Sequence, residues 1–507
     1  MEAGKALLDE YVLSCTGVEH PKVCFLPSAS GDADHYIVRF YRAFSPGRCE
    51  PSHVSLFRRD KGAGLGCDLA EHLLDQNLIY VGGGSVVSLL GVWRAHGLDE
   101  VLRECWRRGV VLCGLSAGSL CWFSESVTAF HGPPQRVAGL GLLPYSNCVH
   151  YDGEPARRES YHRFLSEGMA PGYAAGDGAA LHFRGECSPT SSPRDPRHRP
   201  TGSNRRAMGC RRSRCRSAGW EGRGRSPPPS GSFVDGPPVT HSPRRIFAMG
   251  GGGFTAEPHN PALDDFILSL APSLEPRILF LPTASGDPNG QIAAFRATFG
   301  DRSCRPLHLS LFRLEQDPHD LRELILSQDI IYVGGGSMRN LLAIWREHGI
   351  DAIMREAWET GVLLAGISAG AMCWFAHGIT RSAGRPEPAP ALGFLPGSLS
   401  VHYDGDPIRR PAFLDAVARG AIPDGYGADD GVGLLFEDDQ LVRIVASVPG
   451  TQAYRVQRTT TDGASTVLET VLEPQLLAAA PSLRSRDVPE DIREFRAERY
   501  GAAARRR

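Results

Sequence analysis

The chain is built from two copies of one pattern, and a duplication limits its fold more than any other feature of the sequence. Residues 78–123, LIYVGGGSVVSLLGVWRAHGLDEVLRECWRRGVVLCGLSAGSLCWF, align without a gap on 330–375, IIYVGGGSMRNLLAIWREHGIDAIMREAWETGVLLAGISAGAMCWF, and 27 of 46 positions are identical. CFLPSASGD (24–32) pairs with LFLPTASGD (279–287), and VHYDGEPARR (149–158) with VHYDGDPIRR (401–410). The period of about 252 residues is that of a duplicated domain, not of a solenoid.

The copies differ in completeness. Copy two opens with RRIFAMGGGGF (244–254), a short apolar strand running into a glycine loop. Copy one starts after that point, because LLDEYVLS (7–14) aligns with ALDDFILS (262–269). Copy two continues beyond GLLFEDD into LVRIVASV and AYRVQRT, two expected strands, whereas copy one breaks off near LHFRG (181–185). The expected domains are therefore copy one over 1–185 and copy two over 244–475, with a polar tail over 476–507. Copy one, missing its first and terminal strands, exposes sheet edges and is expected to be unstable or inactive.

Residues 186–243 hold 11 Arg, 10 Pro and no Lys, with almost no apolar periodicity. Such a segment buries too little surface to offset its ordering entropy, and a disordered linker is expected. A frame disruption at the end of an ancestral first copy explains the composition equally well. A nucleic-acid tether is disfavoured: the whole chain has only three lysines, and few aromatics interleave for base stacking. Net charge is −2, so no global field favours nucleic acid or an acidic membrane. No apolar run approaches the ~18 residues of a membrane span, and the N-terminus lacks a secretory pattern, so a cytoplasmic address is expected. The 13 cysteines are odd in number and irregular in spacing; only Cys49/Cys304 and Cys121/Cys373 match between copies, which favours buried thiols over disulfides or zinc.

Within each copy, strand and helix patterns alternate. CFLPSAS is a strand into a turn, LAEHLLDQ a short helix, NLIYVGGG a strand into a glycine loop. Residues 85–109 read as two helices divided by Gly97, and VVLCGLSAG as a strand into a sharp turn. This is an α/β class chain: two mostly parallel sheets flanked by helices, with the chemistry at the C-terminal ends of the strands.

The sharpest local signal is G-L-S-A-G (114–118), repeated as G-I-S-A-G (366–370). Small residues flank the serine because a tight strand-to-helix turn leaves no room for side chains. The turn exposes Ser116 or Ser368 at a helix N-terminus, where N–H groups favour a developing anion. The competing view is a tight turn whose serine only caps the helix. A nucleophilic serine needs a base, and three histidine pairs are matched between copies: His53/His308, His96/His348 and His150/His402. The second pair sits at a helix end, where the dipole favours it; the third sits at a strand end 34 residues after each serine and is the preferred base. The orienting acid is Asp177 or Asp430 in a late D-G turn, with Asp152 and Asp404 as rivals that a turn-forming role accounts for. The order Ser, His, Asp differs from that of ordinary α/β-hydrolases. Backbone N–H groups of Gly83 or Gly335, with Ala117 or Ala369, are candidate oxyanion donors. The GGGS loops lack the spacing of a dinucleotide site, and no cofactor or metal is implied.

Together YVGGGS, G-[LI]-SAG, VHYDG with following arginines and the late D-G turn resemble the peptidase E (aspartyl dipeptidase) family, with cyanophycinases as relatives. The resemblance covers about 7–185 and 244–458. It implies a sheet similar to class I glutamine amidotransferases, flavodoxin-like in plan, with serine in place of their cysteine, and a metal-free Ser-His-acid site acting on small peptides that start with aspartate. It assigns nucleophiles to Ser116 and Ser368, bases to His150 and His402, and acids to Asp177 and Asp430. It assigns a substrate-carboxylate arginine to Arg158 and Arg410, with Arg157 and Arg409 adjacent; the other view is that these arginines merely open an exposed helix. One departure stands out: family members often carry an Asp 13–15 residues after the serine, and VTAFHG (127–132) and ITRSAG (379–384) have no carboxylate. A non-catalytic binding or relic protein and an esterase or amidase are the alternatives, and the two copies are candidates to pair with each other.

Overall fold

In the computed structural model the described residues are 7–57, 68–185, 187–193, 243–314, 320–382, 384–461 and 464–477. Copy two carries two sheets, and copy one carries two four-stranded sheets and a two-stranded one. In copy two the larger one runs Arg305–His308, Arg277–Leu281, Ile330–Val333, Leu363–Ile367, Arg245–Met249, Val432–Glu437, Gln440–Ala446, Gln475–Leu476. Its first five strands are parallel, and Arg245–Met249 meets Val432–Glu437 antiparallel. The parallel strands read RILFL, IIYV and LLAGI because helices cover both faces and leave every position but the leading arginine buried. A second, six-stranded sheet, from Glu387–Pro390 to Ala464–Leu472, carries the VHYDG segment at the end of Leu395–Val401.

Copy one keeps only the first part of this plan. Its counterpart of the larger sheet has four parallel strands in the order Glu50–His53, Lys22–Leu26, Leu78–Val81, Val111–Gly114. Among the described residues no strand lies beside Val111–Gly114 as Arg245–Met249 lies beside Leu363–Ile367. Val111–Gly114 forms an edge and all four of its residues are half-exposed, whereas its counterpart Leu363–Ile367 is buried throughout. Ala179–Arg184, the counterpart of Val432–Glu437, therefore has no central strand to join; it pairs with Cys187–Pro193 instead. That strand lies at the start of the segment 186–243. Residues 194–242 of the linker, and 478–507 of the tail, lie outside the described residues.

The helices follow local signals. Ser85 and Ser337 accept the N–H of Ser88 and Asn340 and cap Val86–His96 and Met338–His348. Gly97 and Gly349, at φ 67° and 68°, end these helices and begin Leu98–Arg107 and Ile350–Glu359, as the sequence predicts.

The two copies pack together through those capped helices. Gly91 faces its own repeat counterpart, Ala343, and a β-carbon on Gly91 would lie 3.3 Å from the Ala343 carbonyl oxygen and 2.7 Å from the Glu347 Cγ. At the other end of the junction the two SGD turns touch. A β-carbon on Gly31 would lie 2.5 Å from the Gly286 oxygen, and one on Gly286 2.3 Å from the Gly31 oxygen. Phe57 and Phe312, also repeat counterparts, meet edge to face at 5.4 Å. The largest apolar core is continuous across this junction, from Cys24 to Ala453. Copy one thus gains from copy two part of the burial that its own truncated sheets lack.

Candidate active site

Each G-x-S-x-G segment forms a sharp turn from a parallel strand into a short helix, Ala117–Leu120 or Ala369–Met372. Ser116 sits at φ 50°, ψ −118°, and Ser368 at φ 54°, ψ −113°, conformations that cost a non-glycine residue about 1–3 kcal/mol and hold the hydroxyl out from the turn. The flanking glycines are steric necessities. A β-carbon on Gly366 would lie 2.0 Å from the Gly370 oxygen, and one on Gly370 2.3 Å from the Val333 oxygen. The matched thiols of Cys121 and Cys373 are buried beneath the turns and donate to the carbonyls of Gly118 and Gly370. That contact accounts for one of the two cysteine pairs common to both copies.

The histidines stand in equally strained backbone, His150 at φ 54° and His402 at φ 51°. In copy two the His402 Nε2 lies 2.9 Å from the Ser368 Oγ, and its Nδ1 2.5 Å from the Asp430 Oδ1. In copy one the same distances are 3.1 Å from His150 to Ser116 and 2.6 Å from His150 to Asp177. With a carboxylate on Nδ1, that nitrogen carries the proton and leaves Nε2 to accept from the serine hydroxyl. Burial pushes the Asp430 carboxyl up, but the hydrogen bond and charge of His402 and the charge of Arg409 outweigh it and hold it below the ordinary range.

Among the described residues the N–H groups of Gly83 and Gly335 have no hydrogen-bond partner, and a β-carbon on either would lie 3.3 Å from the adjacent serine Cβ. Ala117 and Ala369 open their helices, where N–H groups have no intrahelical acceptor. These four residues border the serine hydroxyls as a pair of donors would.

The rival residues are occupied elsewhere. His53 meets the Tyr41 hydroxyl, and His308 meets Arg296. His96 and His348 lie in the copy junction. Asp404 accepts from Arg410 and from the Tyr454 hydroxyl. The arginines divide differently from their order in the sequence argument. Arg410 is held by Asp404 and Glu469 and lies over the rings of Tyr403 and Tyr454; Arg158 lies over Tyr151. The buried neighbours point inward. Arg409 donates to the Ile379 carbonyl and pairs with Asp406, and Arg157 pairs with Glu154 and lines the cavity at Ser116. Where family members often carry an Asp, 13 residues after Ser368, Arg381 forms an ion pair with Asp406 at 2.9 Å.

The copies part company behind the triad. In copy two the Ser368 N–H donates to the Met249 carbonyl, and Gly251 bridges to the backbone of Asp430. Among the described residues copy one has no counterpart of that strand or loop. The Asp177 side chain is accordingly 68% exposed against 55% for Asp430. In front of Ser116 lies a cavity of 1290 Å³ whose far wall comes from copy two, from Ser285–Gln291, Phe312, Arg313 and the glycines Gly335 and Gly336. Sequence reasoning did not single out this wall, although the tetrapeptide SLFR stands in both copies, at 55–58 and 310–313. No helix among the described residues is long and apolar enough to cross a membrane.

A serine hydroxyl facing a carboxylate-backed imidazole is the arrangement that serine hydrolases use. Peptidase family S51 matches residues 1–188 and 246–444, and the chain belongs to that family. It is a serine-type peptidase. The chain is 50% identical over 213 residues to the uncharacterized peptidase YgaJ of Bacillus subtilis (strain 168), a match covering 42% of this chain and 92% of that protein. It is 27% identical over 207 residues to peptidase E of Streptomyces coelicolor, covering 38% of this chain and 82% of that protein. A solved peptidase from an acI-B1 Actinobacterium is 19% identical with a TM-score of 0.34, covering 46% of this chain and 96% of that one. The matches to the two curated relatives, over 213 and 207 residues, each span about the length of one copy.

Proposed function

We propose that the chain hydrolyses short peptides that begin with an acidic residue, with Ser368 as nucleophile, His402 as base and Asp430 as orienting acid. The observation that carries this reading is the line of contacts from the Ser368 Oγ through His402 to Asp430, at 2.9 and 2.5 Å. In this mechanism His402 takes the serine proton as Oγ attacks the peptide carbonyl, and returns it to the leaving amine. Water then releases the acyl group by the reverse relay. Gly335 and Ala369 hold the oxyanion. The acidic preference rests on cationic groups near the serines, of which Arg157 lines the Ser116 cavity.

Copy two is the faster unit in this proposal, because the strand Arg245–Met249 and its loop support the triad from behind. For copy one a binding role on the same fold is a second reading, favoured by the half-exposed edge Val111–Gly114.

The test is release of free aspartate from Asp-X dipeptides by the chain and by Ser116→Ala, Ser368→Ala and the double variant. Ser368→Ala is expected to lower turnover roughly 10⁴-fold. No release from any acidic dipeptide by the unmodified chain would sink the substrate assignment.

A further inference from the structure

The cavity in front of Ser116 cannot be closed by copy one alone. Its near wall is copy one: Gly83, Ser116, His150 and Arg157. Its far wall is the SGD turn, the SLFR segment and Gly335–Gly336 of copy two. That far wall is held rigidly. The Asp287 carboxylate turns inward and accepts the Phe312 N–H at 3.1 Å and the Ser310 hydroxyl at 2.8 Å. Phe312 is buried against Phe57, and Gly286 against Gly31. Arg313 follows directly on these anchors.

Arg313 differs from the other arginine in the cavity. Arg157 has its charge met by Glu154 at 2.7 Å. Arg313 is half-buried, donates to the Asp287 carbonyl at 3.2 Å, and takes part in no ion pair among the described residues. A guanidinium fixed by one backbone hydrogen bond keeps further N–H donors free for a planar anion. A cation on a cavity wall with no ion-pair partner among the described residues is a ready binding group for a carboxylate ligand.

We infer that Arg313 of copy two is a specificity residue for the copy-one site, binding the acidic side chain of a peptide whose carbonyl faces Ser116. The inference rests on the acidic-peptide reading given above. It makes the junction between copies part of the substrate site, so that the duplication does more than place two sites on one chain. The repeat counterpart of Arg313, Arg58, lies outside the described residues.

The experiment labels the full chain with a fluorophosphonate and quantifies modification at Ser116 and Ser368 separately by mass spectrometry of their peptides. The competitors are an aspartyl dipeptide with a reduced, non-hydrolysable bond and its alanyl analogue. In the unmodified chain the aspartyl compound is expected to protect Ser116 at lower concentration than the alanyl one. Arg313→Met is expected to raise the protecting concentration of the aspartyl compound at Ser116 about tenfold or more, while leaving that of the alanyl compound, and protection at Ser368, within about twofold. Arg313→Lys, which keeps the charge, should recover part of the loss. Unchanged protection at Ser116, equal losses at both serines, or equal losses for both compounds would overturn the assignment of Arg313. So would a Ser116 that is not labelled in the unmodified chain. Labelling of both serines without protection by the aspartyl compound at either would overturn the acidic-peptide reading itself.

Discussion

The Nε2 of His348 lies 3.0 Å from the Oγ of Ser88, across the boundary between the two copies. The repeat-related contact joins His96 to Asn340 at 2.6 Å, since Ser88 and Asn340 occupy the same position of the repeat. A histidine matched in both copies is thus accounted for by the junction it makes. His131 of copy one extends the cluster, bonding Ser85 at 3.0 Å and meeting His348 edge to face at 4.4 Å.

The junction should weaken in mild acid. Burial holds His131 down at about 4; burial, then the neighbouring His131, holds His348 down at about 3. In the unfolded chain both take up a proton near the ordinary value of about 6.5. Between that value and the lowered ones the unfolded state binds more protons, so stability falls as pH falls, by up to about 1.4 kcal/mol per pH unit for each histidine. The melting temperature should therefore drop by several degrees between pH 7 and pH 5. His131→Phe combined with His348→Gln should flatten that slope, and an unchanged slope would mean that other groups govern the acid response.

Asp430→Asn should separate geometry from chemistry. The amide preserves the size of the side chain but no longer fixes the His402 proton on Nδ1, so Nε2 ceases to be a dependable acceptor. A fall in kcat of roughly 10³–10⁴-fold with KM little changed is expected in steady-state hydrolysis. A fall confined to KM would instead make Asp430 a substrate-binding group.

Gly91 tests the helix contact. With the Ala343 carbonyl 3.3 Å from where its β-carbon would be, Gly91→Leu has to force Val86–His96 away from Met338–His348. Overpacking of this kind costs about 1–3 kcal/mol. Urea unfolding should show that loss, and the same substitution at Gly97, whose β-carbon would meet nothing within 4 Å, does not open the junction even though its φ of 67° makes it strained.

Much of this architecture was legible in the sequence because the duplication checks each element against its partner. The elbows at Ser116 and Ser368, the matched His150 and His402 and the helix break at Gly97 all follow from local pattern and alignment. The arginines were harder to order. Arg409 and Arg410 are adjacent on one helix, and periodicity did not separate the buried one from the one clasped by Asp404 and Glu469. Glu469 lies far along the chain, in the penultimate strand of copy two. The wall formed by Arg313 was invisible for a related reason. It depends on how the copies face one another, and no hydrophobic period encodes the seating of Gly31 against Gly286.

The shared core leads to a prediction about the two halves. Copy one has the open edge Val111–Gly114, and its helix Val86–His96 buries Val86, Leu89, Leu90, Val92 and Trp93 in a core that continues into copy two. Copy two has a central strand on the corresponding edge and a complete eight-stranded sheet. A chain comprising 244–477 should therefore unfold cooperatively by itself, whereas 1–193 should give no cooperative transition and should aggregate through its edge strand. Mixing the two halves should rescue 1–193 into a complex with a single transition. A soluble, monomeric 1–193 with its own sharp unfolding transition would show that copy one does not depend on the junction, and that the core running across it contributes little to holding copy one together.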